Sequence, residues 1–270
     1  MKKIIAPILL LLFISCEQND LKQVTEPTET IEALNEYALI NKIFQDIGNT
    51  TGDAILNAEE STNTKKSTQS KNEPHITVEP FDLTTFPKTI TVDFLDGTLC
   101  KDGITRKGIV TIVSNNWYGQ EGSEHTTTFE NYYHETYKVE GTHKVKNLGY
   151  SDGSHLKYSV TIEDGKITTD VGESITYREQ SYRTWIAGSE SPLNIWDDQY
   201  LLEGTQNGMN SRGLEYALSI TDPLHFVLLP RGIESGILKI DIGEIKDIEL
   251  NYTSSTITIL GVTYPILIGN

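Results

Sequence analysis

The sequence of 270 residues is poor in several things at once. It has 2 cysteines, Cys16 and Cys100, too few for the disulfide framework that staples small exported domains. Its 9 prolines leave room for long uninterrupted elements. Basic residues are scarce: 22 Lys and Arg face 38 Asp and Glu, for a formal net charge of -16. A surface of that sign repels phosphate backbones and anionic headgroups, which excludes nucleic acid as a partner. Beyond residue 14 no apolar run approaches the ~18 residues that read as a bilayer-spanning helix. The sequence also lacks H-E-x-x-H, G-x-S-x-G, a P-loop and an EF-hand loop. The 6 histidines, at 75, 125, 134, 143, 155 and 225, show no tight ligand spacing. Neither a cofactor nor a metal is expected, and the balance of motifs is against an enzyme.

What is present begins at the first residue. Lys2 and Lys3 form a short positive segment, and Ile4 to Ile14 is an apolar run of eleven residues interrupted by Pro7. That is too short to span a bilayer of ~30 Å and fits a signal-peptide core over residues 1–15. The run ends in Phe13-Ile14-Ser15-Cys16, which resembles a bacterial lipobox, with Phe in place of the usual Leu. Cys16 is therefore the expected lipid-attachment residue. The alternative, an ordinary cleavable signal with a coincidental cysteine, lacks an A-x-A-like site. Two or three acyl chains, at about 0.8 kcal/mol per buried methylene, hold a protein firmly to a membrane. Removing the leader takes 2 of the 22 basic residues with it and leaves 20 against 38 acidic, or -18. Cys100 then has no intramolecular partner, and no histidine lies within twenty residues of it. It reads as a partly buried thiol beside a turn.

Residues 16–29 are polar and read as a lipid-anchored spacer. Ala33, Tyr37, Ile40, Phe44 and Ile47 recur at spacings of four and three, which predicts an amphipathic helix over residues 30–48. Thr28 or Thr30 caps its start, and Gly48-Asn49 supplies a stop. The apolar stripe has to be covered, and the body of the protein is the expected cover. Residues 57–75 hold a polar stretch from Ser61 to Asn72 and read as a disordered linker.

From residue 76 onward a β domain is expected. Ile90, Val92 and Phe94 alternate with Thr91 and Asp93. Leu156-Tyr158-Val160-Ile162 and Leu214-Tyr216-Leu218-Ile220 alternate as cleanly. Asp96-Gly97, Asp102-Gly103, Asp152-Gly153, Asp164-Gly165 and Asn207-Gly208 offer hairpin turns. No segment between strands carries ten residues of helical periodicity, so parallel crossovers are not expected. The predicted fold is mostly β: an antiparallel meander of about a dozen strands preceded by one helix. An open curved sheet, a barrel and a sandwich all remain compatible with it.

Tyr137-Lys138-Val139-Glu140-Gly141-Thr142 is echoed by Tyr200-Leu201-Leu202-Glu203-Gly204-Thr205. Either Glu140 and Glu203 serve two equivalent sites, or Gly141 and Gly204 mark bends in long strands; the second is the preferred reading. Several stretches resemble a family of uncharacterised lipoproteins from flavobacteria and related bacteria. They are Lys88 to Phe94, Asp102 to Gly108, Thr128 to Tyr133, Thr184 to Gly188 and Asn194-Ile195-Trp196-Asp197-Asp198. The resemblance is close over Pro87 to Leu224 and loose beyond. Members often carry extra cysteines in the last third, where this chain has none. The resemblance implies an exported β-rich lipoprotein and no particular activity. It also makes acidic residues just after Cys16, Glu17 and Asp20, similar to signals for display on the cell surface, so an outer-membrane location, surface or periplasmic, is expected.

Three functional readings follow. A membrane-tethered module that binds a glycan, protein or envelope partner is the first; 13 Tyr and 3 Trp supply amphipathic contact surface. A carrier of lipid or another hydrophobic ligand, with the helix as lid over a β half-barrel, is the second. A glycan hydrolase is the third, using carboxylates such as Asp197 and Asp198 beside Trp185 and Trp196, in a chemistry that needs two carboxyls ~5 to 9 Å apart. Asp93, Asp96 and Asp102 surround a turn and are the candidates for a calcium site, though Asp before Gly is foremost a turn former.

Overall fold

A computed structural model describes residues 27–64, 73–151, 153–189, 191, 197–228 and 231–265. The leader, Cys16 and residues 17–26 of its spacer lie outside these residues, as do Trp196 and residues 65–72 of the expected linker; residues 27–29, expected as the end of the spacer, are instead the first residues of the helix.

The described chain is one long helix followed by one sheet. Helix α1 (Pro27–Thr64) leads. The strands are β1 (His75–Glu79), β2 (Lys88–Asp93), β3 (Thr98–Leu99), β4 (Thr105–Ser114), β5 (Glu124–His134), β6 (Tyr137–Tyr150) and β7 (Leu156–Thr168). They continue as β8 (Ser174–Ala187), β9 (Gln199–Met209), β10 (Glu215–Leu228), β11 (Arg231–Ile242), β12 (Ile245–Asn251), β13 (Thr256–Ile259) and β14 (Val262–Pro265). Each pairs antiparallel with its neighbour in chain order, except that β3 pairs only with β4, which also takes β2. The result is the expected meander, in its open form: β1 and β14 are its two edges.

The long strands are bent. Their registers shift between Lys107 and Ile109, Glu140 and Thr142, Ile162 and Gly165, and Ser219 and Leu224. Bulges bend a strand and increase its twist, so a line of them curls the sheet. Gly141 and Gly204 sit at φ +118° and +130°. A β-carbon there would lie 2.8 Å from Asp164 O and 2.2 Å from Gln180 O. The two echoed segments therefore mark the bend. Glu140 is held by Lys138 at 2.9 Å, and Glu203 by Lys157 at 2.8 Å.

Two expected turns are not turns. Asp164-Gly165 is a bulge inside β7. Asn207-Gly208 lies inside β9, where the Tyr216 ring crosses over Gly208 and its hydroxyl donates to Thr176 O at 2.5 Å. In both places long-range pairing outweighs the local turn preference.

The hollow of the curled sheet is filled by α1. Ile40, Ile43, Phe44 and Ile47 are at most 1% exposed and pack in one cluster with Ile90, Ile112, Ile162, Tyr177 and Ile242 of the sheet. The predicted stripe is thus buried on the body. The helix does not stop at Gly48-Asn49 but runs on to Thr64. Its stripe resumes with Thr51, Ala54, Ile55 and Ala58, all buried. A mid-helix glycine costs about 1 kcal/mol, while burying one isoleucine contributes about 1.5–3 kcal/mol, so packing wins. Residues 57–64, expected as disordered linker, are its last two turns, with Thr62 Oγ1 donating to Ala58 O at 2.7 Å.

Candidate functional site

Strand β8 runs through the middle of the hollow. Its inward side chains are Ile175, Tyr177, Glu179, Ser181, Arg183 and Trp185, in strict alternation with outward ones. They divide into a satisfied half and an unsatisfied half.

In the satisfied half, Tyr177 stacks on Phe44 of α1 with ring centroids 5.5 Å apart. Its hydroxyl donates to Glu179 Oε2 at 2.9 Å and accepts from Asn41 Nδ2 at 2.8 Å. Ser181 Oγ donates to the other Glu179 oxygen, and Tyr37 OH donates to Gln206 Oε1. Burial, reinforced by the Glu179 carboxylate, drives the Tyr37 and Tyr177 hydroxyls well above their usual pKa. Every polar atom here has a partner, so this half seats the helix.

The other half surrounds Arg183. Trp185 stacks on Tyr200 at 5.9 Å, and both donate to the buried Asp198 carboxylate: Trp185 Nε1 at 3.0 Å and Tyr200 OH at 2.8 Å. Burial lifts Asp198 from 3.8 to about 6, against these two hydrogen bonds, with Asp197 and Asp53 of α1 adding to the rise. Tyr118 stacks between His125 and Tyr158, 5.2 Å from each. His125 Nδ1 meets Ser114 Oγ at 2.8 Å, and burial lowers its pKa from 6.5 to about 4.

His143, on β6, is 1% exposed, and neither ring nitrogen has a hydrogen-bond partner. Burial, helped by the Arg183 charge, holds it down at about 3, so the ring is neutral. The Arg183 side chain is half-buried and, among the described residues, makes no hydrogen bond or ion pair. Both groups flank the helix at Gly48: a β-carbon there would stand 3.5 Å from His143 Nε2 and 3.9 Å from Arg183 Nη1. Buried polar groups are almost always satisfied, so the unpartnered His143 ring, with an unpaired guanidinium beside it, calls for an explanation.

The residues singled out in the sequence are mostly dispersed. His134 and His143 are on β5 and β6, separated by a hairpin, and both face α1; His134 Nε2 lies 3.5 Å from Asp46 Oδ2. Asp102 grips Arg106, with contacts of 2.9 and 2.6 Å, and Asp93 Oδ1 accepts from the Leu95 N–H. Among the described residues no group of three or more His, Cys, Asp or Glu is placed to hold a metal. Cys100 is half-buried, with its thiol 3.7 Å from Thr98 O. Trp185 and Asp198 do come together, whereas Asp197 turns to Ser191 Oγ at 2.7 Å. Sequence reasoning missed His143 and Arg183, because only the curl of the sheet brings β6, β8 and α1 to one point.

An open groove of about 600 Å³ also crosses the outer side of the sheet between β7 and β12, with Lys166, Asn207 and Glu215 on its walls. Lys166 pairs with Glu140 at 3.4 Å, Arg178 with Asp164 at 3.2 Å and Lys246 with Asp241 at 3.8 Å.

Together these features define a class of architecture: an open antiparallel meander curled around a buried N-terminal helix, with a polar–aromatic seam beside that helix. Compared with known proteins, the chain matches no family model, no curated protein and no solved structure.

Proposed function

We propose that the protein is a lipid-anchored bacterial envelope module that acts by binding, tethered through Cys16 to the outer membrane, with its body in water. The observation that carries this reading is the filled hollow. Ile40, Ile43, Phe44, Ile47 and Ile55 occupy the space that a hydrophobic cargo would need, each at most 1% exposed. A carrier with a helical lid requires an apolar cavity at that place; here the helix is part of the core. The polar–aromatic seam around Arg183 offers instead the mixture of aromatic walls and few convergent polar groups that suits a hydrophilic ligand. The lipoprotein resemblance supports the anchor, and the acidic residues after Cys16 support surface display.

Fractionation tests the anchor. Cys16→Ala should leave the body folded and move it from the detergent-extracted membrane fraction to the soluble one. Retention of the variant in membranes after a high-salt wash contradicts the tether. Saturable uptake of a fluorescent fatty acid by the purified protein would favour the carrier instead.

A further inference from the structure

The buried, unpartnered His143 ring and the unpaired, partly exposed Arg183 guanidinium at Gly48 go further than a general binding surface. Arg183 brings a guanidinium with five N–H donors in a planar fork. None of them meets an acceptor among the described residues, and the neutral His143 ring beside it adds one more donor. Nε2 of His143 and Nη1 of Arg183 are at most 7.4 Å apart, the sum of their distances to the same point over Gly48. An oxyanion that accepts a bond of about 2.8 Å on each side, through one oxygen or through two, bridges nitrogens up to about that limit. The nearest acid on the same strand face, Glu179, is already engaged by the Tyr177 and Ser181 hydroxyls. Asp198 is engaged by Trp185 and Tyr200. Neither carboxylate neutralises Arg183. In a chain of net charge -16, this guanidinium, half-buried on the inner face of β8, keeps its charge without an acidic partner among the described residues.

We infer that Arg183 and His143 form an oxyanion-binding site in the seam between α1 and the sheet, entered beside Gly48, which takes a carboxylate or phosphate group. The group is either the carboxylate of an acidic sugar, with the Trp185 and Tyr200 side of the seam lodging the ring, or a free inorganic anion. The inference rests on the binding reading and specifies its ligand chemistry.

Two substitutions separate binding from folding. Arg183 has no protein partner to lose, so Arg183→Gln should keep its melting temperature. Gly48 is helical, so Gly48→Ala should raise melting temperature while placing a methyl group over the site. Calorimetric titrations of the full chain, at fixed ionic strength, use glucuronate, glucose and inorganic phosphate. Wild type should bind glucuronate, phosphate or both, and not glucose. Tighter binding of glucuronate identifies the acidic sugar as the source, and tighter binding of phosphate the free anion. Arg183→Gln should weaken binding roughly ten- to hundred-fold, the worth of a charge-assisted hydrogen bond. Gly48→Ala should weaken it while melting higher. The His143 ring resonances should move on titration in wild type and stay still in Arg183→Gln. Equal binding by Arg183→Gln and wild type overturns the site, as does failure of wild type to bind either anion. Glucose binding that survives Arg183→Gln overturns the oxyanion site while leaving a binding module in place. Cys16 fractionation tests the tether separately.

Discussion

His125 and His143 are neutral because the hollow has too little water to solvate a charge, and that fixes how the protein responds to acid. Their pKa values fall from 6.5 to about 4 and about 3. The denatured chain therefore binds protons that the folded chain refuses. Stability is fully present above pH 6.5 and is lost as pH falls from there towards 4 and 3. For His125 alone the loss is on the order of 3 kcal/mol. Asp198 works in the opposite direction: lifted to about 6, it takes up a proton earlier in the folded state and favours folding as pH drops from 6 to 4. Two histidines outweigh one carboxyl, so urea midpoints should decline between pH 7 and pH 4.5. Replacing His143 by Gln should flatten that decline; a stability that rises steadily on acidification would refute the buried neutral rings. None of this was legible in the sequence, where the six histidines show only spacing, and burial depends on which strand face each occupies.

The helix is the element where local signals and tertiary packing disagree most. Ala33 to Ile47 advertise the stripe openly, and the structure buries them. Gly48-Asn49 is a sound stop by local rules, yet Thr51, Ala54, Ile55 and Ala58 continue the same face and are worth more than the glycine costs. The same holds for Asn207-Gly208, a hairpin signal absorbed into β9 because both neighbours pair across it. Short-range turn chemistry was readable where strands do end, as at Asp102-Gly103. It misled where a long strand needed a glycine for close packing. Ile55 gives the sharpest test at this scale. Ile55→Ala should cost about 2–5 kcal/mol, as a fully buried side chain does. A loss below about 0.5 kcal/mol, normal for an exposed position, would mean that the second half of α1 is the solvent-exposed tether its composition suggests.

At the scale of the whole molecule, the sheet and the helix depend on each other. The alternating strands and the absence of helical segments between them made the antiparallel meander predictable. Whether it closed was not, because closure depends on where bulges bend the strands, and only Gly141 and Gly204 hinted at that. An open sheet of this length needs something in its hollow, and α1 fills it with Ile40, Ile43, Phe44 and Ile47. That makes α1 a permanent part of the core, and this is the claim on which both the binding reading and the seam at Arg183 rest. Native-state hydrogen exchange measures it directly. The amides of Ile40 to Ile55 should exchange only with global unfolding, at the same free energy as the central strands β6 to β8. Exchange of that helix well below the global free energy, while the strands stay protected, would show a lid that opens and would contradict the account.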